Sequence, residues 1–108
     1  MKPVYAEILN TVSNYYETNV EDVLYKKTKT RHAYNVARVV ATYFIRHYTG
    51  DAFCVIGRVW DERSGWPNHR YNRVVKKLQS DSPKLLNFKL QIEELDRRLS
   101  RKINLLVS

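Results

Sequence analysis

What this sequence has little of bounds it first. There is one cysteine, Cys54, so no intramolecular disulfide framework can form, and a reducing, cytoplasmic setting is the expectation. Three glycines and three prolines, with no Pro-rich or Gly-rich stretch, leave no linker, no low-complexity run and no internal repeat. No apolar run approaches the roughly 20 residues of a membrane helix, and Met1-Lys2-Pro3 is not followed by the apolar stretch of a signal peptide, so no membrane partner is expected. His32, His47 and His69 lack metal-ligand spacing and cysteine companions, which argues against a metal site. Asp61-Glu62 and Glu93-Glu94 are neighbours that a helix would point in different directions, with no nucleophile or Gly-rich turn beside them. The chain therefore reads as no enzyme, without cofactor or small-molecule substrate, and Cys54 as buried filler.

What is present is positive charge. In 108 residues, 19 Lys and Arg face 11 Asp and Glu, for a net charge of +8, which favours polyanionic partners. The charge is clustered. No acid occurs between Val23 and Gly50, where Lys26, Lys27, Lys29, Arg31, Arg38 and Arg46 lie, nor between Arg63 and Ser80, where Arg70, Arg73, Lys76 and Lys77 follow. Two such stretches folded together would make a phosphate-binding face. A hydrophobic content of 44% suffices for one core, so residues 1–108 read as a single domain.

Periodicity predicts helices throughout. Pro3 suits a first turn, and Tyr5, Ile8, Leu9, Val12, Tyr15 and Tyr16 recur at helical spacing over residues 3–16. Asn19 can cap a short helix holding Val20, Val23 and Leu24, and Lys26 to Arg31 then reads as an exposed basic loop. Ala33, Val36, Ala37, Val40, Ala41, Phe44 and Tyr48 mark a central helix from about His32, which Gly50 stops. Asp51 can begin a helix from Ala52 to Trp60, followed by a connector, Asp61 to Pro67, and a helix from Asn68 through Leu78. Ser82 is placed to cap a last helix whose stripe Leu85, Phe88, Ile92, Leu95, Leu99, Ile103 and Leu106 would close the core, or pair with a second copy or a partner helix.

A short helix, a tight turn and a second helix bearing basic and amide side chains is the layout of a helix-turn-helix. Asn68, His69, Arg70 and Arg73 would then face base edges, since the planar ends of Arg and Asn match guanine and adenine. Tyr71 and Trp66 would pack the turn, the preferred reading, or contact the DNA backbone.

Across residues 8–104 the order of features resembles the C-terminal DNA-binding domain of the bacterial replication initiator DnaA. The matching stretches are Val12 to Tyr16, Val20-Glu21-Asp22-Val23-Leu24, a basic loop, Ala37-Arg38-Val39-Val40-Ala41, Thr49 to Trp60 with Ile56-Gly57-Arg58 at the family's Ile-Gly pair, and Val74-Val75-Lys76-Lys77-Leu78. The resemblance implies an all-α domain with a helix-turn-helix, of the kind also found in the Trp repressor, and a long C-terminal helix. It implies double-stranded DNA as partner, with Lys27, Lys29 or Arg31 in the minor groove, Arg38 and Arg46 on phosphates, and the recognition helix in the major groove. Arg58, Arg63 and Lys76 complete the expected DNA-binding set. Cys54 stands where the family has a proline. Pro67-Asn68-His69-Arg70 replaces the family's Asp-His-Thr-Thr, and the connector reads about two residues longer, which implies a different target. No G-x-x-x-x-G-K-[ST] loop occurs, so the chain, without the initiator's ATPase domain, reads as an excised domain or, the preferred reading, a small free-standing relative, a regulator of replication or transcription. The alternative is an adaptor or oligomerisation module on the same scaffold. Binding of structured RNA is less favoured, for want of base-splaying features.

Overall fold

The computed structural model describes residues 1–27 and 32–107. The described residues form six α-helices and no strand: α1 (Pro3–Tyr15), α2 (Val20–Tyr25), α3 (Ala33–Thr49), α4 (Phe53–Gly57), α5 (Gly65–Gln79) and α6 (Leu86–Val107). Two 3-10 turns, Arg58–Trp60 and Pro83–Leu85, lead out of α4 and into α6. The helix α3 is the axis of the domain, packed against α1 on one side and α5 on another, while α6 lies along α1.

Helical spacing explains the core. Ile8, Leu9 and Val12 of α1, Ala37, Val40, Ala41, Phe44 and Ile45 of α3, and Ile92, Leu95, Leu99 and Ile103 of α6 are buried together. Each fully buried Leu, Ile or Phe contributes about 1.5–3 kcal/mol relative to exposure. The steps of three and four in α6 are spent on this core, so the middle of its stripe is unavailable to a second chain. Leu105 and Leu106 run past it and are exposed.

Polar ties fix the helices relative to one another. The Asn19 side chain caps α2 by accepting the Asp22 N–H at 2.8 Å. Gly50 ends α3 in the left-handed conformation, at φ 67°, and donates its N–H to the Arg46 carbonyl. From α3, the Tyr48 hydroxyl reaches Asp96 and Ser100 of α6. The Tyr16 hydroxyl donates to Gln91 at 3.0 Å.

Four local expectations are corrected. Asp51 does not cap α4, because its carboxylate is taken by Lys2 at 2.8 Å and by the Tyr5 hydroxyl; Ala52 occupies the cap. Ser82 makes no capping bond, and a 3-10 turn precedes α6. The helix α5 starts at Gly65, three residues earlier than predicted, since a proline is tolerated in a first turn where its missing N–H has no intrahelical partner. Cys54 is exposed rather than buried, because Ile56, Gly57 and Trp60 take the inward side of that segment.

Candidate nucleic-acid interface

The corner between α4 and α5 depends on Gly57. A Cβ there would sit 2.5 Å from the Glu62 carbonyl oxygen, so only glycine lets the connector cross this closely. The Glu62 N–H donates to the Gly57 carbonyl at 2.8 Å, closing the corner, and Asp61 takes the left-handed conformation at φ 53°. Four residues, Asp61–Ser64, thus separate the 3-10 turn from α5.

Beneath the corner lies a polar node. The Val23 carbonyl, at the end of α2, accepts from Trp60 Nε1 at 3.1 Å and from Arg38 Nε at 2.7 Å. The Arg38 guanidinium also donates to the carbonyls of Asp22 and Lys26, so it closes the C-terminus of α2, where its charge meets the negative end of the helix. Arg70 lies over the Trp60 ring at 5.3 Å and pairs with Glu62 at 2.7 Å. Burial first, and the nearby Arg70 charge second, hold the Arg38 pKa below its ordinary value.

Three expected DNA contacts are drawn into the scaffold, two of them at this node. Arg70, placed among the base readers by sequence, is turned inward and is only 8% exposed, its charge held by Glu62. Arg38 is half-buried under α2. Arg46 is partly buried as well, donating to the carbonyls of Gly50 and Asp51 and lying over the Phe53 ring at 4.7 Å, which ties α3 to α4. All three hold the scaffold together rather than presenting free charges.

Other predicted residues do stand on the surface. Along α5, Asn68, His69, Arg73 and Lys76 are exposed, and the whole helix carries no acid. Arg58 and Arg63 are exposed at the corner, and Lys27 at the start of the basic loop. Lys29 and Arg31 lie outside the described residues.

Asn72, which sequence reasoning missed, and Trp66, for which it preferred packing, belong to the same face. Asn72, one turn after Asn68, donates to its side-chain oxygen at 2.9 Å, aligning two amides along α5. Trp66 does not pack the turn; it stands 60% exposed in the first turn of α5. Tyr71, by contrast, packs as expected, stacked on Tyr43 and tilted against Phe53. An early helix start was the available signal for both misses, because Gly65 and Pro67 suit a first turn as well as a loop.

The N-terminal half of α3 and the outward side of α5 meet across a groove of about 710 Å³, which Asn35 and Val36 line from one side and Trp66, His69 and Arg73 from the other. Lys26 lies over the Tyr34 ring of α3 at 5.5 Å. Among the described residues no cluster of His, Cys, Asp or Glu could hold a metal ion, and no helix is long and apolar enough to cross a membrane. No protein-family model matches the chain, and no curated protein matches it.

Proposed function

We propose that this protein binds double-stranded DNA, with α4, the 3-10 turn and α5 acting as a helix-turn-helix and α5 entering the major groove. The observation that carries this reading is the acid-free outer face of α5, where Asn68, His69, Asn72, Arg73 and Lys76 project in sequence from a tightly closed corner. Amide and guanidinium ends of this kind match adenine and guanine edges. Lys26, Lys27 and the basic loop they open would follow the adjacent minor groove, in keeping with the resemblance to the DnaA C-terminal domain. Arg58 and Arg63 flank the corner, where phosphates would run. In this reading the protein is a nucleoid-associated regulator of replication or transcription.

Selection of bound duplexes from a random DNA pool tests it. A recovered motif is expected, and loss of that motif's preference with Asn68→Ala or Arg73→Ala. A pool that returns unenriched, with no duplex retained at low salt, would overturn the proposal.

A second reading, an adaptor or homodimer on this scaffold, has in its favour the exposed Leu105 and Leu106 at the end of α6. Sedimentation at several concentrations separates the two, since a stable assembly indifferent to duplex belongs to the adaptor alone.

A further inference from the structure

The groove between α3 and α5 offers more than a surface for tracking phosphates. Its apolar lining comes from Val36 and Val39 of α3, Trp66 of α5 and Phe88 of α6. The Trp66 indole, 60% exposed, makes no aromatic or cation contact among the described residues, leaving a flat face open to the solvent. His69, Arg73 and Lys77, spaced four apart on α5, form a row along the same groove in which Arg73 and Lys77 carry positive charge, and no carboxylate among the described residues lines it. Lys77 lies over the Phe88 ring at 4.9 Å.

Beneath the groove lies the Arg70–Glu62 pair, in which Arg70 Nη1 and Glu62 Oε2 are both buried without a hydrogen-bond partner among the described residues. An occupant that fits the groove supplies a flat ring for Trp66 and negative charge for Arg73 and Lys77.

We infer that the groove is a nucleotide-binding subsite, in which Trp66 stacks on a nucleobase and His69 and Arg73 hold its phosphate. A volume of about 710 Å³ falls within the range of pockets that enclose small ligands. Stacking on an aromatic face works for any base and needs no particular sequence. An acidic peptide would satisfy the cations but would leave the open indole face without a planar partner. The nucleotide can come free from solution or as an unpaired nucleotide of a DNA strand. The second source rests on the duplex-binding reading; the first does not.

Fluorescence distinguishes these sources, because Trp60 is 5% exposed and Trp66 is the residue a ligand would quench. The full chain is titrated with deoxynucleoside monophosphates, with inorganic phosphate, with a duplex carrying a one-nucleotide bulge, and with the same duplex fully paired. Retardation of the paired duplex is recorded alongside. Saturable quenching by mononucleotides assigns the free source, and quenching by the bulged duplex alone assigns the strand. In either case Trp66→Phe removes the signal, and Arg73→Ala raises the half-saturation concentration at least about tenfold, as loss of a charge-assisted hydrogen bond should. Trp66 is exposed, so this variant keeps the fold, which circular dichroism verifies. The inference is overturned if no mononucleotide quenches and the bulged duplex quenches no more than the paired one. It is equally overturned if inorganic phosphate displaces mononucleotides at matching concentration, which marks an anion patch without base recognition. Retardation of the paired duplex in either case leaves the duplex reading standing while the subsite falls.

Discussion

Replacing Arg70 separates a structural guanidinium from a base-reading one. The Arg70–Glu62 contact is 2.7 Å long between side chains that are 10% and 19% exposed, and the guanidinium also covers the Trp60 ring. Removing one partner of a buried ion pair costs about 3–5 kcal/mol, because the other charge is left without compensation. Glu62 keeps partial access to water, which places Arg70→Ala near the lower end, at about 3 kcal/mol, with loss of the Trp60 contact adding roughly 1 kcal/mol at most. With a urea slope near 1.5 kcal/mol per molar, the denaturation midpoint should fall by about 2 M. Glu62→Gln should recover part of this loss when combined with Arg70→Met, since two neutral side chains leave no stranded charge. A double-mutant cycle by urea denaturation, with duplex affinity measured in parallel, is the assay. An Arg70→Ala protein of unchanged midpoint that loses its sequence preference would refute the structural assignment and restore Arg70 to the bases.

Two further substitutions probe the scaffold beneath the interface. Gly57→Ala drives a Cβ against the Glu62 carbonyl, which is backbone and cannot swing aside; a loss of about 2 kcal/mol is expected, or roughly 10 °C in melting temperature, and an unshifted melt would show that the connector moves freely. Burial and the hydrogen bond to Asp96 push the Tyr48 pKa up to about 12 from its ordinary 10.0. The folded state thus favours the neutral phenol, so its contribution is complete below about pH 10 and disappears as pH rises through about 12. Tyr48→Phe should flatten that alkaline loss in pH-dependent denaturation, and an identical pH profile would remove Tyr48 from the cause.

How much of this was legible in the sequence follows from how local each signal is. The cap at Asn19, the stop at Gly50 and the stripe from Ile92 to Ile103 depend on residues within a turn or two of each other, and each is found where periodicity places it. The start of α5 was misplaced because a proline within a first turn looks like a loop residue from sequence. Arg70 was misread for a related reason. Once α5 starts at Gly65, Pro67, Arg70 and Val74 fall on one side, and that side is the buried one. The charge on Arg70 argued for the surface, but its partner Glu62 stands eight residues earlier, across a corner whose closeness only the fold reveals. Arg38 has the same history, since the carbonyls it satisfies belong to another element, whereas Arg46 is held locally, by carbonyls four and five residues along the chain. Sequence proximity ties Asp51 to the nearest helix, whereas its partners Lys2 and Tyr5 come from the N-terminal end of the chain. Charge type and spacing therefore located the basic face, and long-range contacts decided which of its arginines remain free to act.

The dependence of duplex affinity on salt is the most direct test of the central claim. If the exposed cations of α5 and the corner, with Lys26 and Lys27, neutralise about six phosphates, log affinity should fall against log salt with a slope on the order of −5. Arg73→Ala or Lys76→Ala should each make the slope shallower by at most about 1, depending on whether that side chain touches phosphate. A flat salt response for the intact protein, or the same affinity with Arg73 and Lys76 both replaced, would contradict DNA binding through this face.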